Sequence, residues 1–286
     1  MRKRSQIDFA SILGLLIGPA CIIAGQLLEG GKLSTLLQAS AALIVIGASM
    51  GACMLSFSPT FLVAAARDLR KVVAETSPDP FDLIDRIVNY SNVLHKDGPV
   101  ALQTWIAKEP YPMLSLALNL LVSNVSPQSM MGILERKFHE NTRLNNAGAE
   151  VFEAAGGYLP TFGIMGAVLG LIHTMSMLNE PTKLGEGIAT AFVATLYGVG
   201  SANLIAYPVG KKIRARAHTE KELDKIVITA INAIQSGQRG IALRQALTGG
   251  SSAGNGSAAA VAPSSQATPA AGAEQPPMRI ARKGAA

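Results

Sequence analysis

Residues 151–175 read VFEAAGGYLPTFGIMGAVLGLIHTM, a run apolar and long enough to cross the roughly 30 Å hydrocarbon core of a bilayer as one helix. Three other stretches reach a comparable length, Ile7–Gly25, Ser34–Phe57 and Glu186–Tyr207. The composition agrees, because 49% of the 286 residues are hydrophobic and only 15% are charged. The sequence therefore predicts an all-α membrane protein with four transmembrane helices.

The four spans form two hairpins, and the charge pattern indicates their orientation. Basic residues precede span 1, follow span 2 and follow span 4, at Arg2–Arg4, Arg67–Lys71 and Lys211–Arg216. Because Lys and Arg are retained on the cytoplasmic side of a membrane, we expect both termini and the segment between spans 2 and 3 to be cytoplasmic. The net charge of +6 follows this topology, so nucleic acid is not an expected partner. The first span is predicted to be a retained anchor and not a cleaved signal peptide.

Prolines divide the segment between spans 2 and 3. Ser58-Pro59 and Ser77-Pro78-Asp79-Pro80 place capping residues before a proline, so helices should begin there. An amphipathic surface helix is expected from Pro80 to the break at Asp97-Gly98-Pro99, followed by a short apolar helix, Met113–Val122. The connection between the two hairpins is therefore predicted to be a helical cytoplasmic domain.

Spans 3 and 4 are expected to continue beyond the bilayer as long helices. Only isolated glycines follow Ser126-Pro127 before span 3, and the charged stretch Lys211–Lys225 extends span 4 as far as Gly237. From Gly249 onward the chain is mostly Ala, Gly, Ser and Pro, which cannot offset its ordering entropy by burial. The predicted domains are transmembrane hairpin 1 (1–57), a cytoplasmic helical loop (58–150), transmembrane hairpin 2 (151–208), a cytoplasmic helical segment (209–248) and a disordered tail (249–286).

Polar residues inside the second hairpin are the candidates for an ion path. Thr161 and Thr195 lie near the middle of their spans, whereas Glu153 and Glu186 lie near span ends. Each threonine hydroxyl either bonds a carbonyl one turn earlier or lines a polar pore, and the sequence leaves both alternatives open. No carboxylate lies at the membrane centre. If ions cross here, a partner must supply the titrating group.

Prolines and small residues shape the spans. Pro160 lies within span 3, where it removes one backbone hydrogen bond, and Pro208 lies where span 4 meets the basic cluster. Each is either a hinge or a static bend. Glycines spaced four residues apart predict close helix packing, at Gly14 and Gly18, Gly47 and Gly51, and Gly166 and Gly170.

Signatures of catalysis and metal binding are missing from the sequence. It has no Walker loop, dinucleotide fingerprint, zinc-protease motif or nucleophile elbow. The two cysteines, Cys21 and Cys53, both lie inside apolar spans, where neither a disulfide framework nor a thiolate metal site is expected. We predict that the chain is not an enzyme and has no cofactor.

The second hairpin resembles a known family. Residues 151–174, with 184–204 reading LGEGIATAFVATLYGVGSANL, are similar to the MotA/PomA A subunits of flagellar motor stators, and a looser similarity extends over Ile7–Gly237. The resemblance implies an inner-membrane ring of A subunits, a pentamer, around two copies of a single-span MotB/PomB-like B subunit. An aspartate of B would carry the transported H⁺ or Na⁺, with the proton as the expected ion.

The resemblance also implies a role for particular residues. Ion flow would turn the A ring and drive a FliG-like rotor switch protein, and so flagellar rotation, motility and chemotaxis. The prolines matching Pro160 and Pro208 couple ion passage to movement of the cytoplasmic domain, and the threonines matching Thr161 and Thr195 face the B helix.

This chain departs from the family at the rotor-contact loop. His95 stands where the family has an arginine, and Gln103 stands where it has a glutamate. The candidate rotor contacts are therefore His95 and Gln103 themselves and the charged residues Asp85, Arg86, Lys96 and Asp97, for which a solvated surface is the alternative.

Two other membrane classes remain as alternatives. An ExbB/TolQ-like energiser also forms a ring around a single-span partner, but such proteins usually have three spans and this chain has four. A secondary transporter would use broken helices and inverted repeats, and the two hairpins share no visible repeat. The stator class fits the sequence best.

Overall fold

The computed structural model describes residues 6–7, 9–75, 79–176 and 181–252. The chain divides into two units, Met1–Leu247 and Thr248–Ala286. Of the second unit, the described part is Thr248–Ser252, which is helical. The predicted disordered tail, 249–286, lies outside the described residues beyond Ser252.

The described chain is almost entirely helical, which confirms the predicted fold class. One antiparallel pairing of two residues, β1 (Gln6–Ile7) with β2 (Ala74–Glu75), is the strand structure found in the described segments. The helices are α1 (Phe9–Leu28), α2 (Leu33–Leu36), α3 (Ala39–Ala42), α4 (Ala48–Ser56), α5 (Pro59–Val73), α6 (Pro80–Ile106), α7 (Pro112–Val122), α8 (Pro127–Met175), α9 (Pro181–Ser201), α10 (Tyr207–Gln235) and α11 (Gly240–Ser252). Two π-helical turns, Leu43–Gly47 and Ala202–Ala206, join α3 to α4 and α9 to α10.

Four helical segments are long and apolar enough to cross a membrane, as the sequence predicts. They are Ser11–Leu28, Leu33–Ser56, Pro127–Met175 and Gly187–Gln235. The last two are each 49 residues long, far more than the roughly 20 residues that a bilayer requires. Spans 3 and 4 therefore continue as helices beyond the membrane, as expected.

The second span is not the uninterrupted helix that its apolar run suggests. Leu37 and Gln38 are extended, with φ and ψ of −95° and 91° and of −124° and 110°, and a π-helical turn follows. The break frees the Leu36 carbonyl, which accepts a hydrogen bond from the Tyr197 hydroxyl of α9 at 2.5 Å. The backbone amide of Gln38 donates to the same hydroxyl oxygen at 3.3 Å. Tyr197 thus satisfies backbone groups that a lipid environment cannot.

Spans 3 and 4 pack closely through glycines. A β-carbon added to Gly198 of α9 would lie 2.6 Å from the Leu159 carbonyl oxygen and 2.8 Å from the Cα of Gly163, both in α8. One added to Gly166 would lie 2.9 Å from Ala194. In the first hairpin a β-carbon on Gly14 or Gly51 would meet nothing within 4 Å, and one on Gly18 would lie 2.9 Å from the end of the Leu204 side chain but near no backbone atom. The predicted small-residue packing is therefore concentrated in the second hairpin.

A separate apolar core lies in the part of the chain between and beyond the spans. We call it the loop domain; it consists of α6, α7, the first part of α8, the last part of α10, and α11 as far as Leu247. Its most completely buried side chains include Leu83, Leu102, Met113, Leu134, Ile231 and Leu243. Residues from all five helices meet in one cluster, so the long helices share a core with the segment between the hairpins.

Local signals explain most of the loop domain. α6 begins at Pro80, as predicted, and the Asp79 carboxylate caps it by accepting a hydrogen bond from the Phe81 amide at 2.9 Å. Gly98, with φ 79° and ψ 177°, interrupts the helix at the predicted break, but the chain resumes a helical course to Ile106. α11 lies mostly within the predicted helical segment 209–248, although no separate helix was predicted after Gly237.

We predict that Gly198→Ala destabilises the spans and that Gly200→Ala does not. Both glycines lie inside α9, so each substitution gains the same helix propensity. Only the new methyl group at position 198 would clash with the α8 backbone, at a cost of about 1–3 kcal/mol. Thermal unfolding of the two variants in detergent measures the difference. Equal melting temperatures would show that α8 and α9 are not held this closely.

Candidate functional site

The four predicted coupling residues lie along spans 3 and 4 at different depths. Pro160 is half-buried within α8, which continues as helix on both sides of it, and Thr161 beside it is exposed. Thr195 is half-buried in α9. Pro208 is exposed in the first turn of α10, directly after the π-helical turn Ala202–Ala206. Since proline has no amide hydrogen, Pro208 cannot donate to the preceding turn, and the wide π-helical geometry precedes that gap.

The two threonines face different surroundings. Leu159, Gly163 and Gly166 mark the face of α8 that packs on α9. Thr161 is two residues from both Leu159 and Gly163, and at about 100° per residue it points away from α9. Thr195 instead lies beside Ala194, a residue of α9 that is buried in the same cluster as Leu159 of α8. The structure therefore does not bring the two hydroxyls to one point of the α8–α9 interface.

The hydroxyls also differ in hydrogen bonding. Thr161 donates back to the Tyr158 carbonyl oxygen at 2.7 Å, which is the local alternative left open by the sequence. Within the part of the chain that the structure describes, the Thr195 hydroxyl takes part in no hydrogen bond. Thr195 is thus the threonine that can bond an outside group without losing an internal partner.

Carboxylates are absent from the interiors of the spans. Glu153, near the end of span 3, is already bonded to an arginine. Glu153, at the loop-domain end of span 3, accepts two hydrogen bonds from Arg214 of α10, at 2.7 and 2.5 Å. Gly210 lets the two helices approach there, because an added β-carbon would lie 3.0 Å from the Glu153 Cγ. This bidentate pair fixes α8 against α10 where they leave the membrane.

The predicted rotor-contact residues form two groups: four lie near the turn at Gly98, and the other two form ion pairs with other residues of the loop domain. His95, Lys96, Asp97 and Gln103 are all exposed, on either side of the turn at Gly98. We call these four the Gly98 surface. They lie beside Val100, which is 74% exposed. The surface is therefore accessible to a partner.

Asp85 and Arg86 instead make contacts within the loop domain. Asp85 forms an ion pair with Arg244 of α11. The Arg86 guanidinium contacts the Glu109 carboxylate at 2.5 Å and Asp82 at 3.2 Å. Arg86 is only 22% exposed and is held by these bonds, so it is less available for rotor contact than the Gly98 surface, whereas Asp85 is 56% exposed and stays accessible.

A buried polar network in the loop domain was not found from the sequence. The Glu109 side chain is 0% exposed, and it accepts hydrogen bonds from Arg86, from the Tyr90 hydroxyl at 2.8 Å and from the Tyr111 amide at 2.9 Å. Asp224 is 4% exposed and accepts from the Tyr111 hydroxyl at 2.6 Å and from Asn141 at 3.1 Å.

Part of this network had a readable signal. Asp224 lies three residues before Val227 and seven before Ile231, on the apolar stripe of α10, so helical spacing places it toward the core. Glu109 has no such pattern, because it lies in the short connection between the end of α6 and the start of α7.

The network changes the ionisation of its tyrosines. Burial, reinforced by the hydrogen bond to Glu109, raises the pKa of Tyr90 to about 12 from an ordinary 10.0. Burial and the bond to Asp224 raise the pKa of Tyr111 further. Both phenols therefore stay neutral at physiological pH and act as hydrogen-bond donors to carboxylates.

Two family models match most of the chain that the helices occupy. "Motility protein A N-terminal" matches residues 12–97, and "MotA/TolQ/ExbB proton channel family" matches residues 107–225. Motility protein A of Bacillus subtilis (strain 168) is 27% identical over 243 residues, which is 84% of this chain and 90% of that protein.

Solved structures agree with these matches. The C. jejuni MotAB structure superposes with a TM-score of 0.76 at 26% identity and covers 85% of this chain and 94% of that one. The flagellar MotAB stator complex from Bacillus subtilis gives a TM-score of 0.72 at 26% identity, over 80% and 91% of the two chains. The chain belongs to the MotA family of flagellar stator subunits.

Membership of the MotA family confirms the predicted resemblance and weighs against one alternative. The channel family model is shared with TolQ and ExbB, but the N-terminal match over 12–97 is to motility protein A and covers the first hairpin. Four candidate spans, where three are usual for energisers, agree with that match. The roles of Pro160, Thr161, Thr195 and Pro208 stay predictions.

We expect Glu109→Ala to destabilise the loop domain by about 3 kcal/mol, because it leaves Arg86 with only the exposed Asp82 and leaves the Tyr90 hydroxyl without its acceptor. Glu140→Ala is the matched control. Glu140 is 58% exposed and pairs only with Lys137 in the described chain, so its loss should change stability by less than about 0.5 kcal/mol. Chemical denaturation measures both. A similar small effect for the two variants would contradict the buried network.

Proposed function

We propose that this protein is the A subunit of a flagellar stator, which forms an ion channel with a single-span B subunit and converts ion flow into torque on the flagellar rotor. The observation that carries this proposal is the match of both hairpins to motility protein A and to MotAB structures. The fold supports it, because spans 3 and 4 run without interruption into the loop domain.

The B subunit is proposed to supply the titrating group. Spans 1 to 4 carry no carboxylate in their interiors, and Glu153 is held by Arg214. A channel built from this chain alone would lack a site to bind and release a cation. An aspartate of a MotB/PomB-like partner fills that need, and both solved structures above are named as complexes of MotA with MotB.

The proposed assembly is a ring, a pentamer of this chain around two B helices in the bacterial inner membrane. Both termini are assigned to the cytoplasm, because the basic residues at Arg2–Arg4 and Lys211–Arg216 lie on one side of the spans. The loop domain then faces the rotor. We assign no catalytic role and no cofactor to the chain.

The Gly98 surface is the proposed contact for a FliG-like rotor protein. Its four polar side chains are exposed, whereas Asp85 and Arg86 are bonded within the domain. Contact through Lys96 and Asp97 would be weakened by salt, whereas contact through Gln103 would depend on hydrogen bonds.

Deletion of the gene tests the proposal. Motility should be lost, and it should return when the gene is supplied again. Swimming speed of the complemented strain is then measured as external sodium is varied at fixed pH, and after a protonophore is added. The proton is the proposed ion, so swimming speed should not change with external sodium and should fall when the protonophore is added. Sodium-dependent speed would reassign the ion, and intact motility in a strain with no second stator would favour the energiser class.

Pro208→Ala should abolish torque and leave assembly intact. The substitution restores a donor amide at the junction of the π-helical turn and α10, and so changes how span 4 joins the loop domain. Pro127→Ala is the matched control, because Pro127 also lies in the first turn of a long helix but far from the spans. Torque is measured with a bead attached to a flagellar stub. Assembly is measured as the amount of the variant protein in the membrane fraction. Loss of assembly would instead make Pro208 structural.

Thr195→Val should slow ion flux at constant side-chain volume, whereas Thr161→Val should have the smaller effect. The Thr195 hydroxyl has no internal partner among the described residues, but the Thr161 hydroxyl is already bonded to the Tyr158 carbonyl. Flux is measured with an ion-sensitive dye in cells that overproduce the complex. An unchanged flux in Thr195→Val would remove this residue from the pore.

A further inference from the structure

Tyr111 connects two buried carboxylates that lie on different helices of the loop domain. It caps α7, and its backbone amide donates to Glu109 at 2.9 Å. Its hydroxyl donates to Asp224 of α10 at 2.6 Å. One residue thus bonds the connection after α6 through its main chain and the extension of span 4 through its side chain.

Each end of this bridge is anchored by further hydrogen bonds. Glu109 is held by Arg86 and Tyr90, which are both in α6. Asp224 is held by Asn141 of α8 as well as by Tyr111. The bonded path therefore runs from α6 through Tyr111 to α10 and α8, the two helices that continue from spans 3 and 4.

The bridge restrains a motion that the apolar core alone does not. Packing between apolar side chains is not directional, so it resists separation of helices more strongly than small sliding or rotation. Hydrogen bonds to buried carboxylates have short and angular optima, and a fully satisfied network fixes a single arrangement. Both hydrogen bonds of Asp224 in the described chain come from neutral donors, so loss of the Tyr111 hydroxyl leaves Asn141 as its one donor.

We propose that Tyr111 is a positioning residue for torque transmission, which fixes the helix carrying the Gly98 surface to the extensions of spans 3 and 4. The proposal rests on the stator function proposed above. When the ring turns against the load of the rotor, the force enters at α6 and is opposed at α8 and α10. A flexible joint between them would let α6 yield, and part of the movement produced by ion flow would not reach the rotor.

Tyr111→Phe tests the proposal, and Tyr90→Phe is its matched control. Each substitution removes one hydroxyl that donates to a buried carboxylate, at 2.6 Å for Tyr111 and 2.8 Å for Tyr90. Only the Tyr111 bond connects to α10, since Tyr90 and its partner Glu109 lie on the α6 side of the bridge. The two variants should therefore lower the melting temperature of the purified complex to a similar extent.

The two variants should differ in the motor. We expect Tyr111→Phe to lower the high-load torque of each stator unit by about twofold or more, while ion flux and the speed near zero load stay close to wild type. Tyr90→Phe should leave the torque of each unit near wild type, because Arg86 still holds Glu109 to α6. Torque is read from the stepwise speed increases of a bead-loaded motor as units join it, so a lower number of assembled units does not imitate the effect.

Each result bears on the proposal. Equal torque per unit in Tyr111→Phe and Tyr90→Phe would overturn it and reduce the bridge to a stability role. If Tyr111→Phe does not accumulate, Asp224→Leu decides instead, because it removes the carboxylate that accepts from the phenol and keeps a side chain of similar size. Torque per unit at the wild-type level in that variant, with a lowered melting temperature, would overturn the proposal. Failure of the wild-type chain to restore any torque would overturn the stator function and this inference together.

Discussion

The contact between Gly163 and Gly198 determines how the rest of the chain can be arranged. It brings the backbones of α8 and α9 so close that a single β-carbon on Gly198 would lie 2.8 Å from Gly163. In lipid no hydrophobic effect drives helices together, so such backbone contact supplies much of their association. Both helices then continue out of the membrane, and their fixed spacing sets the positions of every residue that they carry beyond it.

Outside the membrane, α8 and α10, which continues from α9, are held together by polar contacts. The pair of Glu153 with Arg214 fixes them where they leave the spans, and Asp224 with Asn141 fixes them inside the loop domain. These carboxylates are tolerated there because Glu153 has the two donors of the Arg214 guanidinium and Asp224 has donors from Tyr111 and Asn141. In the interiors of the spans, where no such donors are gathered, the sequence has no carboxylate.

Sequence patterns predicted the features that depend on local chemistry. Apolar length gave the four spans, and a capping residue before proline gave the start of α6 at Pro80. The break at Leu37–Gln38 could not be predicted, because no proline or glycine marks it and the freed carbonyl is satisfied by Tyr197, far along the chain. The contact of Arg86 with Glu109 was missed for the same reason, since the two residues are 23 positions apart in the sequence. Features that depend on a distant partner are invisible to local periodicity.

The candidate ion path illustrates the same limit at the level of single atoms. Thr161 and Thr195 are equivalent in the sequence, since each is a hydroxyl near the middle of a span with no carboxylate beside it. The structure separates them, because the Thr161 hydroxyl already donates to Tyr158. A partner that accepts from Thr161 must first replace that bond, at a net cost of about 1 kcal/mol, whereas the Thr195 hydroxyl has no bond to replace within the described chain. The difference favours Thr195 as the hydroxyl that can bond a partner helix without losing an internal hydrogen bond.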